Sequence, residues 1–240
     1  MNAAFLAALR DSGGGGLSSA LHEARPPKPF ALTPLLDERN RRASAASKEV
    51  RFEVGVLADA LTGPILQAFA AVGTVRVARC LYRVTGLELV GAEPYPELLA
   101  DARPVNRWTL QIHTPVAFFT AREEGVRRVR PFPEVEWVFA DLYRKWNAFT
   151  SEAALGEGVA ETVTQNLEVA DYRLTMAEHL LKANVPLVRG SVGQVVYQVA
   201  DARRSSAEAQ AGLDALVRFS AYSGIGDRTT IGMGYVLPGR

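Results

Sequence analysis

The chain has 240 residues, enough for one large domain or two small ones, and its 48% hydrophobic and 22% charged residues are typical of a globular protein. The formal net charge of +1 gives no overall attraction to a polyanion, so a surface that binds nucleic acid has to come from a local cluster of basic side chains. The single cysteine, Cys80, excludes an internal disulfide, and without a second cysteine or closely spaced histidines the common zinc patterns are excluded as well.

Cys80 is expected to be a small buried hydrophobic residue. No apolar run approaches the roughly 20 residues of a membrane-spanning helix. The N-terminus also shows no basic segment ahead of a long hydrophobic core. We therefore expect a cytoplasmic protein with no membrane partner, no cofactor and no metal site.

The first half of the chain begins with helical patterns. MNAAFLAALR and LSSALHEA are helix-like and are separated by the run Gly13–Gly16, and Pro26 and Pro27 end the second pattern. Strands are predicted in PFALTPLLD and KEVRFEVGVLA, followed by a helix in LADALTGPILQAFAAV and extended chain in TVRVARCLYRVTGLELVGAEPY. Prolines at positions 94, 96 and 104 then mark a junction.

The second half repeats these kinds of element. RWTLQIHT alternates as a strand, with Trp108, Leu110 and Ile112 on one face, and VAFFTAREEGVRRVRPF is predicted to form a hairpin that turns near Glu124 and Gly125. An amphipathic helix is predicted in PEVEWVFADLYRKWNAF, and two or more strands in EVADYRLTMAEHLLKANVPLVRGSVGQVVYQVA. A last helix in SAEAQAGLDALVRFSAY precedes a final strand in TTIGMGYVLP.

Both halves give the order helix, strand, strand, helix, strand, which is typical of the ferredoxin-like fold. We predict an α+β protein with two tandem ferredoxin-like (RRM-like) βαββαβ domains, residues 1–95 and 105–240. The first domain is predicted to lack its first strand, because helix-like sequence starts almost directly at Met1.

A glycine-rich segment, SGIGDRTTIGMGYV, separates the last helix from the final strand. Its two G-x-G pairs, Gly224 with Gly226 and Gly232 with Gly234, are separated by five residues. A dinucleotide fingerprint needs the reverse order of strand and helix, and the Gly-Lys-Ser/Thr of a nucleotide P-loop is missing. A C-cap glycine followed by an ordinary turn is the simpler alternative. The mirrored pairs favour a dedicated loop.

Three segments carry a resemblance to a known family. GIGDRTTIGMG resembles the glycine loop of the CRISPR-associated RAMP proteins, whose two G-x-G pairs flank five residues. LHEARPPKPFALTPL, residues 21–35, resembles the histidine segment of the Cas6 family of precursor CRISPR-RNA endoribonucleases, and IHTPVAFFTAREEG resembles the strand and hairpin of that family's second domain. The resemblance implies two ferredoxin-like domains and metal-independent cleavage of the CRISPR repeat. Two features depart from the family. No strand precedes the first helix in the given sequence, so this strand is either absent or lies upstream of the start shown, and the first helix has no tyrosine, since the first tyrosine is Tyr82.

Metal-free RNA cleavage needs an acceptor for the 2′-hydroxyl proton, a donor for the leaving 5′-oxygen, and positive charge beside the phosphorane. Histidine suits either proton role because its pKa of about 6.5 lies near the working pH. The resemblance places catalysis at His22, with Lys28 as a compact cation for the transition state. Taken alone, His22 is more simply a solvent-facing loop residue, and a solvent-facing lysine between two prolines is the alternative for Lys28. His113 is expected to contact RNA or face solvent, and His179 to be structural or exposed.

A basic cluster lies in residues 103–130, where six arginines and two acidic residues give a local net charge of +4. Such a run is usually a solvated face. On a hairpin, however, alternate arginines project together toward the phosphates of an RNA stem. The glycine loop is expected to present backbone donors to RNA or to hold the groove in shape. The predicted RNA-binding residues are Arg25, Arg122, Arg127, Arg128, Arg130, Gly224, Gly226, Arg228, Gly232 and Gly234.

The leading hypothesis is a metal-independent endoribonuclease that cleaves precursor CRISPR RNA within its repeats. The alternative is a non-catalytic RAMP subunit that binds guide RNA as a scaffold in a CRISPR effector complex, because such proteins share the glycine loop. A small-molecule-binding ferredoxin-like domain is a third interpretation, which the lack of a complete nucleotide motif weakens. The expected partner is CRISPR repeat RNA, precursor and processed. Other CRISPR-associated effector subunits and a second copy of the chain, as a homodimer, are further candidates.

Overall fold

A computed structural model describes residues 1–39, 42–44, 47–120, 128–179 and 187–239. The chain divides into two compact units. The first comprises Met1–Pro94 and Thr230–Gly232, and the second comprises Tyr95–Thr229 and Met233–Arg240. The boundary after Pro94 falls at the start of the proline-marked junction. In the described part of the chain, no helix is long and apolar enough to cross a membrane.

The first unit contains seven regular elements in its described residues. In chain order they are α1 (Asn2–Asp11), α2 (Gly15–Glu23), β1 (Phe30–Leu32), β2 (Val54–Val56), α3 (Thr62–Ala70), β3 (Thr74–Val77) and β4 (Cys80–Arg83). β1 pairs antiparallel with β2, and β3 pairs antiparallel with β4. The predicted helices and strands of this half are therefore present, although the strands are shorter than the sequence patterns.

One hydrophobic core holds the first unit together. The ring of Phe5 on α1 packs 5.2 Å from that of Phe30 on β1 and 5.5 Å from that of Phe69 on α3, measured between centroids. Val75 of β3 is buried in the same cluster. Both two-stranded ladders thus contribute to a common core, and burial of these apolar side chains is the main driving force for their assembly.

Cys80 is exposed, so the expectation that it is buried is wrong. Val77 and Cys80 form the last pair of the β3–β4 ladder, and the hairpin turns through Ala78 and Arg79. The turn end of a two-stranded ladder lies at the edge of the core, which leaves the thiol in contact with solvent.

The second unit contains ten regular elements in its described residues. In chain order they are α4 (Tyr95–Ala100), β5 (Arg107–Val116), β6 (Phe118–Phe119), β7 (Val129–Arg130), α5 (Val135–Phe149), α6 (Glu157–Asn166), β8 (Leu167–His179), β9 (Val188–Val199), α7 (Ala207–Ser223) and β10 (Val236–Pro238). Four of the strands form one antiparallel sheet in the order β10-β5-β9-β8. The chain order β5, α5, β8, β9, α7, β10 is that of a ferredoxin-like βαββαβ domain, as predicted.

The sheet order of the second unit explains the split sheet of the first. The first strand of this fold lies between the fourth and the third, as β5 lies between β10 and β9. In the first unit, β3 and β2 take the fourth and third places, and no strand precedes α1 in the described residues. The described residues of the first unit accordingly form two separate two-stranded ladders.

The core of the second unit follows the predicted patterns closely. Trp108, Leu110 and Ile112 are buried on one face of β5, as their alternation indicates. Tyr197 of β9 packs edge-on against Phe139 of α5, with 5.1 Å between the ring centroids. The predicted final strand is shorter than TTIGMGYVLP, because Thr229–Ile231 forms a 3-10 turn and only Val236–Pro238 pairs with β5.

Candidate active site

His22 lies in the last turn of α2, and its side chain is exposed. It lines an open cleft of the first unit, whose walls are Asn2, Leu6, Leu21, His22, Lys28, Thr230 and Ile231. The helix positions the imidazole at a fixed point while leaving it accessible. The imidazole of His22 is therefore accessible to a substrate group that enters the cleft, because it is not buried in the core.

Lys28 lies in the same cleft and closes the end of α2. Its Nζ donates to the main-chain oxygen of Leu21 at 3.1 Å and to that of His22 at 2.7 Å. The last carbonyls of a helix have no partner within the helix, so the ammonium caps α2. Partial burial lowers the pKa of Lys28 below its ordinary value. An ammonium has three donors, and these two bonds use two of them.

The tip of the glycine-rich segment completes the cleft. Thr230 and Ile231 line it, and the side-chain nitrogen of Asn2 donates to the main-chain oxygen of Thr230 at 3.1 Å. The structure thus brings His22 and Lys28 together with a segment about 200 positions later in the chain. Asn2 and Thr230 were not predicted as site residues. Thr230 lies inside the glycine motif, whereas nothing in the local sequence marks Asn2.

The backbone donors of the glycine pairs are largely used within the second unit. The N–H of Gly224 donates to Ser220, that of Gly226 to the Asp141 carboxylate at 2.8 Å, and that of Gly234 to Pro115. Of the two roles considered for this loop, these bonds favour holding the backbone in shape. A Cβ at Gly234, where φ is +67°, would lie 2.0 Å from the Ile225 oxygen, so no other residue fits there.

Gly232 belongs to the first unit and is also buried. A Cβ at this position would lie 3.2 Å from the nitrogen of Pro34, and φ is +91°. The backbone of the loop tip thus approaches the chain that follows β1 more closely than a side chain allows. RNA binding by the four glycines stays a prediction.

The predicted RNA-binding arginines have different surroundings. Arg25 is exposed next to the cleft segment. The guanidinium of Arg228 lies over the ring of Phe119, 4.8 Å from its centroid. Arg128 is exposed. Nη1 of Arg130 lies 3.9 Å from Oε1 of Glu134, and Cζ of the same guanidinium lies 5.3 Å from the centroid of the Trp137 ring.

Arg122 and Arg127 lie outside the described residues, together with the expected turn near Glu124. The two arms of the hairpin are present, because β6 pairs antiparallel with β7. RNA binding by this hairpin stays a prediction.

The other two histidines are placed differently from His22. His113 on β5 is exposed at its surface, but its ring lies 5.3 Å from that of Tyr235, and partial removal of the imidazole from water lowers its pKa. His179 is buried at the end of β8. No group of three or more His, Cys, Asp or Glu side chains that suits a metal ion occurs among the residues described.

Comparison with known proteins connects this architecture to one family. The family profile described as CRISPR-associated endoribonuclease Cas6 matches residues 110–236, more than half of the chain. No curated protein matches the chain in sequence.

Several solved structures resemble the whole chain. The Thermus thermophilus Cas6 TTHB231, in a product complex, is 28% identical, with a TM-score of 0.77 over 99% of this chain and 91% of that one. A product complex of the Thermus Cas6 TTHA0078 is 25% identical, with a TM-score of 0.78 over 100% of this chain and 91% of that one. A Cas6-related protein from Pyrococcus furiosus is 13% identical, with a TM-score of 0.62 over 100% of this chain and 90% of that one, and shows the shared fold alone. These structures have tandem ferredoxin-like folds, as predicted for this chain.

Proposed function

The chain belongs to the CRISPR-associated endoribonuclease Cas6 family, and from this premise we propose that it cleaves precursor CRISPR RNA within its repeats, without a metal ion, to release guide RNAs. The observation that carries the proposal is the cleft of the first unit, which His22 and Lys28 both line. RNA as the ligand is supported by the product complexes of two relatives and by the substrate-mimic complex of one of them.

The proposed reaction is an intramolecular phosphoryl transfer. The 2′-oxygen of the nucleotide before the scissile phosphate attacks the phosphorus, and the bond from phosphorus to the next 5′-oxygen breaks. A base takes the proton of the 2′-hydroxyl, and an acid gives a proton to the 5′-oxygen. The products are a 2′,3′-cyclic phosphate and a 5′-hydroxyl. His22 is the proposed base or acid, because its imidazole is accessible to a reacting group and histidine suits either proton role in general acid–base catalysis.

Lys28 is proposed to stabilise the charge that develops on the phosphorane. Its ammonium is held by two carbonyls at the end of α2, so it is already oriented when the RNA arrives. The one remaining donor is available for a phosphate oxygen. A cation fixed in place before reaction stabilises a transition state without reorganisation.

The arginines predicted from the sequence are proposed to bind the RNA backbone rather than to react. Arg128 and Arg130 lie two residues apart at the β7 end of the hairpin, so in extended chain they project to the same side. Arginine contacts to phosphate position an RNA without reading its sequence. The hairpin is therefore assigned to the affinity for RNA, and the His22 cleft to the chemistry.

Cleavage of a CRISPR repeat RNA in EDTA tests the proposal. We expect cleavage at one position, with a cyclic phosphate on the upstream fragment, and no cleavage of an RNA that carries a single 2′-deoxynucleotide before the scissile phosphate. The deoxy RNA is the matched control, because it should bind as well as the natural RNA. Cleavage that appears only after Mg²⁺ or Mn²⁺ is added, or equal cleavage of both RNAs, would overturn the mechanism. Tight binding with no cleavage would point to the scaffold alternative.

A further inference from the structure

Two charged side chains are buried on α5. Asp141 and Lys145 lie one helical turn apart, each side chain is 7% exposed, and Oδ2 of the aspartate is 2.7 Å from Nζ of the lysine. Within the described parts of the chain, they are the only buried Asp, Glu, Lys or Arg residues. Removing two charges from water costs more than a simple pair returns, unless further hydrogen bonds satisfy both groups. Their remaining bonds therefore show what the pair does.

Asp141 Oδ1 accepts from the exposed guanidinium of Arg144 at 2.7 Å, and the other bonds of the pair go to the first G-x-G pair of the glycine-rich segment. Lys145 donates to the main-chain oxygen of Gly224 at 3.1 Å and to that of Gly226 at 3.4 Å. The N–H of Gly226 donates to the Asp141 carboxylate at 2.8 Å. The ion pair thus binds both polar groups of the Gly226 backbone and one of Gly224. An apolar pair of the same size would fill the space but would hold neither the carbonyls nor the amide.

The opposite side of this backbone is held as well. The N–H of Asp227 donates to the oxygen of Ala117 at 3.0 Å, and its carboxylate accepts from the N–H of Phe119 at 2.6 Å. Arg228 follows directly, with φ at +65° and its guanidinium over the Phe119 ring. A non-glycine residue takes such a φ only where its surroundings enforce it. The bonds at Gly224, Gly226 and Asp227 are those surroundings.

We propose that Asp141 and Lys145 are positioning residues for RNA cleavage: together they fix the path of the glycine-rich segment that presents Arg228 to the RNA. This inference rests on the proposed function. The same segment continues two residues later into Thr230 and Ile231, which line the cleft of His22. An error in the backbone at Gly226 is therefore carried along the chain toward the residues that face the scissile phosphate.

Replacing both charges separates positioning from stability. Asp141→Leu leaves the buried ammonium of Lys145 without a carboxylate, and Lys145→Met leaves Asp141 with the exposed Arg144 in place of a buried cation, so both single variants should melt at a lower Tm. The double variant contains no buried charge, so its Tm should rise above those of the single variants. Its glycine segment, however, has lost three hydrogen bonds. We expect its saturated single-turnover rate to stay about 10- to 100-fold below that of the wild type, because a displacement near 1 Å suffices for such a loss.

Val138→Ala is the matched control. Val138 is on the same helix and fully buried, and its truncation lowers Tm by creating a cavity while Asp141 and Lys145 stay in place. At a temperature where every variant is folded, Val138→Ala should cleave at the wild-type rate. A double variant that cleaves at the wild-type rate would overturn the proposal.

A second readout does not depend on cleavage. Hydrogen exchange of the Gly226 amide should be slow in the wild type and in Val138→Ala, and much faster in the folded double variant, because the acceptor on residue 141 is gone. If the wild-type protein binds repeat RNA but does not cleave it, the proposed function fails. Positioning is then judged on RNA affinity, which the double replacement should weaken. If the double variant keeps the wild-type hydrogen-exchange protection at Gly226, or in that case binds repeat RNA with wild-type affinity, the positioning role of Asp141 and Lys145 is wrong.

Discussion

At the scale of single residues, the same side chain can serve the fold and the site. Lys28 caps α2 through the carbonyls of Leu21 and His22, and it lines the cleft in which His22 is exposed. The sequence alone offered two separate roles for this lysine, a transition-state cation or a solvent-facing side chain. The structure adds a third, since a cap on the last turn of α2 also fixes where the backbone of His22 lies.

Tyr197 gives a residue-scale prediction for stability. Its hydroxyl donates to the oxygen of Pro133 at 2.7 Å inside the core, and burial raises the pKa of the phenol well above its ordinary value of 10.0. Tyr197→Phe leaves the Pro133 oxygen without this donor and should lower the free energy of unfolding by about 1–3 kcal/mol at neutral pH. Urea unfolding measures the loss.

Tyr197 also predicts how the free energy of unfolding changes at alkaline pH. Above pH 10 the phenol ionises in the unfolded chain but stays protonated in the folded one, so the unfolded state binds fewer protons and stability falls as the pH rises. In Tyr197→Phe this part of the decline should be missing. Equal slopes for the two proteins between pH 9 and 11 would show that Tyr197 does not titrate as its burial implies.

At the scale of elements, apolar periodicity predicted the helices and strands that pack on the core through apolar faces. It did not predict a buried charged side chain. β5 and α5 were predicted because Trp108 and Phe139 belong to regular apolar faces that are buried in the structure. The same reasoning passed over Lys145, because a charged residue on a helix is normally assigned to the solvent face. Its burial depends on carbonyls of the glycine segment, which lies about 80 positions away in the sequence.

Short elements were also beyond the sequence patterns. α4 and α6 were not predicted, since six and ten residues with few apolar repeats give little periodicity to detect. The strand expected in TTIGMGYVLP shortened to Val236–Pro238, because the positive φ of Gly232 and Gly234 interrupts extended chain. Glycine content predicted a loop there but gave no hydrogen-bond pattern for it.

The hairpin that ends in β7 gives a prediction for RNA affinity. Arg128 is exposed there, as a contact to a phosphate requires. Arg128→Ala should weaken RNA binding and reduce the slope of log K against log salt by about 0.7–0.9, the value for one lost phosphate contact. Filter-binding titrations from low to moderate salt measure the slope, and the saturated cleavage rate should change little, because such a contact contributes equally before and during the reaction.

Arg189→Ala is a suitable control for Arg128. Arg189 is also an exposed arginine of the second unit, but its guanidinium is 3.0 Å from the Glu178 carboxylate. Removing it changes the net charge by the same amount without removing a proposed contact. If the slope of log K against log salt is the same for Arg128→Ala, Arg189→Ala and the wild type, Arg128 makes no phosphate contact and the hairpin is an ordinary solvated face.

At the scale of the whole molecule, the order of elements was predictable and the grouping of distant residues was not. The tandem ferredoxin-like architecture followed from the repeated order of helices and strands. The assignment of Thr230–Gly232 to the first unit had no counterpart in the sequence, because membership of a unit depends on three-dimensional contacts. For the same reason the sequence did not predict that Asn2 lines the cleft of His22.

The central claim is that His22 transfers a proton in metal-free cleavage of repeat RNA, and the most direct measurement is the single-turnover rate of His22→Ala in EDTA. With enzyme in saturating excess, we expect a rate about 10²–10⁴-fold below that of the wild type at nearly unchanged RNA affinity, because the substitution removes proton transfer and little binding. Glu23 is the next residue of α2 and is also exposed, and Glu23→Ala should cleave at the wild-type rate. A His22→Ala protein that cleaves as fast as the wild type would contradict the account.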